Sequence, residues 1–94
     1  EACSWGHAGD GNLHVNLLLD PRDELAVRRA KVAADEVLAL AIELGGTISG
    51  EHGVGLLKNG WLSRQWEPAA VGAHEAVKDA LDPRGLFNPG KKLA

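Results

Sequence analysis

Apolar and polar positions alternate from residue 13 onward, in the pattern of a half-buried β-strand. Because successive side chains of a strand point to opposite faces, the apolar residues face a core while His14 and Asn16 share the other face. The apolar positions are Leu13, Val15, Leu17 and Leu19. The strand is expected to end at Asp20-Pro21, because proline lacks the backbone donor of a ladder and suits the first turn of a helix.

After Pro21 the hydrophobic period changes to that of a helix. Apolar residues recur every three or four positions up to Leu44 with charged residues between them, which predicts one long amphipathic helix with a buried stripe. The stripe consists of Val27, Ala30, Ala34, Val37, Leu38, Ala41 and Leu44. Gly45-Gly46 follows at once, as is usual at the C-terminus of a helix.

The second half of the chain contains shorter elements. Thr47–Ser49 is β-prone and predicts a short strand, and residues 50–55 form a glycine-rich turn with charged residues inside it. Residues 56–66 predict a short helix that is broken near Asn59-Gly60. Together with the first half, these elements predict an α+β fold.

Proline marks the start of one further helix. Pro68 suits a first helical position, and the apolar residues after it predict a helix through Ala80. Asp82-Pro83-Arg84-Gly85 is expected to end this helix, and the residues that follow to form a loop with two apolar anchors.

The length of the chain, 94 residues starting at Glu1, indicates one small domain that is a piece of something longer. A sheet of two strands is marginal by itself, so we expect the rest of the parent to supply neighbouring strands. An exposed sheet edge is a template for pairing. We therefore expect the isolated chain to self-associate.

Composition excludes several classes of protein. A net charge of −3 with acidic and basic residues interspersed gives no basic stripe, which argues against nucleic acid binding. No apolar run approaches the roughly 18 residues of a transmembrane segment. The single Cys3 allows no internal disulfide and fits a reducing compartment. We expect a cytoplasmic protein, with peripheral membrane attachment of the parent as the alternative.

Two histidines and one glutamate could bind a divalent metal. His7 and His14 flank a glycine-rich loop, and Glu51 lies in a second such loop after the long helix. Three protein ligands with one open position are typical of a catalytic rather than a structural metal site. Zinc is the first expectation, and the ligand types also fit manganese or iron.

The neighbours of these ligands suggest a reaction. If Glu51 faces the metal, His52 points elsewhere nearby and could act as a base on a bound substrate, because a neutral imidazole accepts a proton readily near pH 7. Asn16 could donate to a substrate carboxylate.

Simpler interpretations of the same residues remain open. Histidines on strands and in loops are often ordinary surface residues, and glycines are first of all turn formers. Neither glycine-rich segment has the spacing of a phosphate-binding loop. Ser49 lacks a nucleophile-elbow pattern, and Cys3 has no basic neighbour that would activate its thiol.

Three segments together resemble the C-terminal part of the FAD-linked oxidases, which include glycolate oxidase, D-lactate dehydrogenase and D-2-hydroxyglutarate dehydrogenase. They occur in the order of that family and cover nearly the whole chain. These segments are Gly6-His7-Ala8-Gly9-Asp10-Gly11-Asn12-Leu13-His14, Gly50-Glu51-His52-Gly53-Val54-Gly55 and Phe87-Asn88-Pro89-Gly90-Lys91.

The resemblance implies oxidation of a D-2-hydroxy acid to the 2-oxo acid by hydride transfer to FAD, with electrons passed on to an acceptor of unknown identity. It implies His52 as the base and substrate contact, Asn16 as a second substrate contact, and Asn12 and Asn88 as flavin contacts. The metal ligands it implies are His7, His14 and Glu51.

The resemblance also implies a division of the chain. Residues 1–55 correspond to the second half of a ferredoxin-like substrate (cap) domain that carries both His/Glu motifs. Residues 56–94 correspond to a helical C-terminal tail that returns to the flavin. The FAD-binding domain is absent, so we expect the chain alone to be inactive. The alternative is a non-catalytic metal-binding or assembly module, which requires no FAD-binding domain upstream in its gene.

Overall fold

The computed structural model describes residues 1–92, which form two strands and three α-helices in the α+β class. The chain divides into two compact units, Glu1–Gly46 and a second unit that begins at Thr47. The predicted α+β class is confirmed, and the elements are consistent with part of a ferredoxin-like fold. Among these residues no helix is both long enough and apolar enough to cross a membrane.

The first unit begins with an antiparallel hairpin of β1 (Ala2–His7) and β2 (Asn12–Leu17). The strand β2 was predicted, but β1 was not, because its sequence does not alternate clearly between apolar and polar residues. Its conformation follows from pairing with β2 along its full length. A 3-10 turn (Ala8–Asp10) joins the strands and ends at Gly11, whose φ of +67° lies in the left-handed region that favours glycine.

Gly6 allows the two strands to approach each other closely. A Cβ atom at this position would lie 2.0 Å from the carbonyl oxygen of Asn12, so no larger residue fits without moving the backbone. At Gly9, in the loop, a Cβ atom would meet nothing within 4 Å. The glycine at position 6 therefore serves strand pairing.

The helix α1 (Glu24–Glu43) follows the hairpin. It begins later than the proline pattern predicts, because Asp23 is the N-cap and its carboxylate accepts from the backbone N–H groups of Leu25 and Ala26, each at 3.0 Å. The prediction of a buried stripe is wrong for this unit, since no side chain of Glu1–Gly46 is buried. A hairpin of two six-residue strands offers too little surface to cover a helix of 20 residues.

The second unit has a small hydrophobic core of Ile48 and Leu62, the buried apolar residues of the described chain. Leu62 opens α2 (Leu62–Gln65), which continues directly from a 3-10 turn (Asn59–Trp61). The strand predicted over Thr47–Ser49 does not form. Ile48 has side chains rather than a neighbouring strand as its backbone partners.

The helix α3 (Pro68–Leu81) agrees with its prediction to within one residue at each end. It starts at Pro68 and stops before Asp82, which is its C-cap. His74 lies in this helix, and its ring stacks on Trp66, the C-cap of α2, with 4.1 Å between the ring centroids. The Nδ1 atom of His74 donates to the carbonyl oxygen of Ala70 at 2.9 Å. His74 is thus a packing residue.

Candidate functional site

The hairpin gathers the predicted residues of the first unit on one face. Residues directly opposite each other in an antiparallel pair point to the same side of the sheet. Three such pairs form this polar face: His7–Asn12, Trp5–His14 and Cys3–Asn16. The prediction that His14 and Asn16 share a face is confirmed.

The two histidines of the hairpin occupy neighbouring rows of this face. His7 pairs with Asn12, and His14 lies two residues beyond Asn12 on the same strand, so the two histidines are diagonal neighbours. Diagonal positions of a ladder are about 7–8 Å apart, within reach of long side chains. The glycine loop thus returns the chain so that His7 and His14 lie on the same face, one row apart.

Trp5 stands beside one of these imidazoles. Its indole ring and the ring of His14 have centroids 6.4 Å apart and are tilted by 31°. The pair is directly cross-strand, where aromatic side chains contact most effectively. Trp5 therefore lies directly beside His14 on this face. The sequence did not predict this contact.

In the second unit, Glu51 and His52 lie in a loop that is closed by a side chain. The hydroxyl of Ser49 donates to the carbonyl oxygen of Gly53 at 3.0 Å, which ties together the residues on either side of the Glu51-His52 pair. Gly53 has a φ of +72°, so glycine suits the turn. Both Glu51 and His52 are exposed.

The loop is anchored at the buried Ile48. The amide N–H of Ile48 donates to Oε1 of Gln65 at 2.8 Å, and Nζ of Lys58 donates to its carbonyl oxygen at 2.7 Å. Both backbone groups are therefore satisfied, as buried backbone groups require. Sequence reasoning missed Lys58 and Gln65. No signal in the sequence identifies them, because a β-prone segment does not show which side chains bond its backbone.

Residues next to the second and third sequence motifs link the two segments within this unit. The backbone N–H of Lys92 donates to the carbonyl oxygen of Gly55 at 3.2 Å. The side-chain amide of Asn59 donates to the carbonyl oxygen of Gly90, also at 3.2 Å. The tail that carries Asn88 is thus bonded to the end of the loop that carries Glu51 and His52.

One carboxylate of this unit is buried. Asp82 has 7% of its surface exposed and accepts from Lys78 Nζ, and it also accepts from the N–H groups of Leu86 and Phe87 at 2.9 Å each. The ammonium group of Lys78, followed by the N–H of Phe87, lowers the pKa of Asp82 to about 2. Sequence reasoning treated Asp82 only as part of a helix stop.

The predicted metal ligands are divided between the units. His7 and His14 belong to the hairpin, and Glu51 belongs to the second unit. Imidazole and carboxylate groups are ligand types that suit zinc, manganese or iron. The ligand set, the base and the flavin contacts stay predictions.

Comparison with known proteins gives one family for nearly the whole chain. The model of the family "FAD linked oxidases, C-terminal domain" matches residues 1–92. That range includes all three motifs of the sequence and every residue that the structure describes.

Relatives with curated names agree with this match. The chain is 47% identical over 92 residues to glycolate oxidase subunit GlcD of Bacillus subtilis, covering 98% of the chain and 20% of the relative. It is 43% identical over 89 residues to D-lactate dehydrogenase of Anaerostipes hadrus, with coverage of 94% and 19%. It is 41% identical over 93 residues to D-2-hydroxyglutarate dehydrogenase of Stutzerimonas stutzeri, with coverage of 96% and 20%. The chain spans about a fifth of the length of these relatives.

Proposed function

The chain belongs to the C-terminal domain family of the FAD-linked oxidases, and we propose that it is the substrate side of an enzyme that oxidises a D-2-hydroxy acid. The family and its relatives are FAD-linked oxidoreductases, which supports an enzyme as the parent. The observation that carries the proposal is the match over residues 1–92, because it includes both histidine motifs and the tail. The substrates proposed are glycolate, D-lactate or D-2-hydroxyglutarate.

The reaction assigned to the chain is removal of the hydroxyl proton. His52 accepts that proton, and Asn16 donates a hydrogen bond to the carboxylate of the same substrate. The hydrogen bond from Ser49 to Gly53 closes the loop that carries His52, which supports its role as a base presented by this loop. These residues orient the acid and prepare its carbon for oxidation.

Two cofactors would complete the site. His7, His14 and Glu51 would hold a divalent metal, and their donor atoms suit that role. Asn12 on the hairpin face and Asn88 in the tail would contact the flavin. When bound, the metal stabilises negative charge on the hydroxyl oxygen and FAD accepts the electrons.

Substitution of the proposed base tests the reaction. In the flavoprotein that carries this chain, we expect His52→Ala to reduce turnover by about 10²–10⁴-fold, the usual contribution of general base catalysis, while FAD content is unchanged. The matched control is His74→Gln, because His74 packs on Trp66 and takes no part in the reaction. Full turnover by the His52 variant would remove this residue from the role of base.

Elemental analysis tests the metal. After dialysis against a weak chelator, we expect zinc, manganese or iron in near-stoichiometric amount in the flavoprotein and its loss in His14→Ala. His74→Gln is expected to retain the metal, since it also removes a histidine but not one of the proposed ligands. Equal metal content in all three proteins, or none in any of them, would contradict the ligand set.

We also propose that the isolated chain self-associates. No side chain of Glu1–Gly46 is buried, and large apolar residues of α1 such as Leu25, Val32 and Leu40 are exposed. Surfaces of this kind usually lie in contact with other protein. Light scattering should show a mass above that of the monomer at high concentration. A monomer throughout would contradict the proposal.

A further inference from the structure

The tail segment that precedes Asn88 has neither regular secondary structure nor a hydrophobic anchor. α3 ends at Leu81, and no strand or helix follows it up to Lys92. The side chains of Leu86 and Phe87 are 59% and 68% exposed, contrary to the prediction that they anchor the loop. Apolar burial therefore does not fix the path of this segment.

A pair of charged side chains at the end of α3 binds the segment instead. The Asp82 carboxylate accepts from the N–H groups of Leu86 and Phe87. Lys78 donates from Nζ to the same carboxylate and, at 2.8 Å, to the carbonyl oxygen of Phe87. Three backbone groups of two consecutive residues are thus hydrogen-bonded to one ion pair. We name the ion pair of Lys78 and Asp82 the tail clamp.

The tail clamp joins a buried carboxylate to backbone groups of the tail. Burial of a carboxylate carries a desolvation penalty that its ion pair often only offsets. The Asp82 carboxylate is nonetheless buried, while the chain elsewhere leaves many large apolar residues exposed. Its bonds satisfy backbone groups that have no helix or strand partner, so their effect is to fix geometry.

The geometry that the tail clamp fixes is that of Asn88. Asn88 follows Phe87 directly and has a φ of +48°, a left-handed conformation that few residues other than glycine and asparagine adopt. Pro89 restricts the next φ, and Gly90 at +69° completes the turn. With Phe87 held on both its N–H and its carbonyl oxygen, the backbone that leads into Asn88 is tied to Lys78 and Asp82 at the end of α3.

We propose that Lys78 and Asp82 are positioning residues that hold Asn88 in the orientation in which it contacts the flavin. The flavin contact rests on the function proposed above, whereas the tail clamp itself rests on the hydrogen bonds. Neither residue touches the reacting atoms. Their effect on the reaction passes through the backbone of Phe87 and the side chain of Asn88.

The test compares Asp82→Asn and Lys78→Met with Asp79→Asn, which removes the same negative charge as Asp82→Asn from an exposed position of α3. In the chain, we expect amide hydrogen exchange at Leu86 and Phe87 to rise by about tenfold or more in the first two variants and not in the third. Lys78→Arg retains a cation and several donors, and we expect it to restore most of the protection.

The same variants in the flavoprotein test the positioning role. We expect Asp82→Asn and Lys78→Met to shift the visible absorption bands of the flavin and lower kcat about tenfold or more, with KM for the hydroxy acid and FAD content little changed. A loss of stability alone would lower the amount of active enzyme but would not shift the spectrum. Should Asp82→Asn fail to fold, Lys78→Met carries the test.

Asn88→Ala separates the two proposals. If it leaves spectrum and kcat unchanged, the proposed flavin contact is wrong. If Asn88→Ala changes both but the tail clamp variants change neither, the positioning inference is wrong. Exchange rates at Leu86 and Phe87 equal to those of Asp79→Asn would also overturn it, whatever the flavin does.

Discussion

In Glu1–Gly46 the candidate residues are positioned by the backbone hydrogen bonds of two paired strands. In the second unit they lie on loops that are positioned by hydrogen bonds from side chains to backbone atoms. The register of β1 and β2 alone places His7 and His14 on one face. Glu51, His52 and Asn88 lie on irregular segments whose positions depend on Ser49, Lys58, Gln65, Lys78 and Asp82.

This contrast predicts different sensitivities to substitution. A ladder tolerates most changes of side chain, so the hairpin should respond mainly where the backbones approach each other most closely. The second unit depends on a few buried groups and on named side chains. Single substitutions should therefore have their largest effects there.

The largest effect is expected from the small core of the second unit. Leu62 is 4% exposed and Leu57 is 97% exposed, so Leu62→Ala removes buried apolar surface and Leu57→Ala does not. We expect Leu62→Ala to lower the free energy of unfolding by about 2–5 kcal/mol, and Leu57→Ala to leave it nearly unchanged. Urea denaturation followed by tryptophan fluorescence measures both. Equal effects of the two variants would mean that no core exists around Leu62.

The next effect is expected in the hairpin. Gly6→Ala places a Cβ against the carbonyl oxygen of Asn12, and we expect a loss of about 1–3 kcal/mol as the strands separate. Gly9→Ala is the matched control, because its Cβ would enter open space. Amide exchange along β2 reports the change. Unaltered protection in Gly6→Ala would show that the strands can shift without loss of pairing.

A smaller effect on stability is expected when the pH is lowered. The pKa of Asp82 is about 2 in the folded chain and 3.8 in an unperturbed carboxyl group, so the unfolded state binds the proton more readily. The contribution of this residue to stability is therefore present above about pH 4 and is lost as the pH falls toward 2. We expect Tm to fall less steeply between pH 5 and 2 in Asp82→Asn than in the unmodified chain or in Asp79→Asn. Parallel curves for all three would contradict the assignment.

The smallest effect is expected from an exposed ion pair in the first unit. Arg22 bonds the Asp20 carboxylate at 2.8 Å, but its side chain is 89% exposed, and solvent screens such pairs. We expect Arg22→Gln to change Tm by less than about 2 °C. Scanning calorimetry of Arg22→Gln and Asp82→Asn under the same conditions compares their shifts in Tm. A larger shift for Arg22→Gln would show that exposure does not predict the strength of these pairs.

Local signals in the sequence identified the helices well. The hydrophobic period and the glycines after it predicted α1 except for its start, and Pro68 with the period after it predicted α3, because a helix satisfies its own backbone and depends little on distant residues. β1 was missed because its conformation depends on pairing with β2. Thr47–Ser49 was given the wrong structure because its β-propensity cannot reveal that side chains of Lys58 and Gln65 replace a partner strand.

For the candidate site, the sequence supplied a list of proposed residues but not their arrangement. The three motifs contain all of these residues except Asn16, and alternation placed His14 and Asn16 on one face. The tail clamp could not be inferred from the sequence, because an aspartate followed by proline and glycine residues is common wherever a helix ends. Its role depends on bonds to Leu86 and Phe87, which only the folded chain reveals.

The contact between Trp5 and His14 gives the chain an optical reporter at the candidate site. Indole emission is sensitive to a charged or metal-bound imidazole next to it, and these two rings have centroids 6.4 Å apart. The other tryptophans, Trp61 and Trp66, belong to the second unit and can be replaced by phenylalanine to leave a single emitter. Occupancy of the hairpin face could then be followed as fluorescence quenching during a titration, without a label and without turnover.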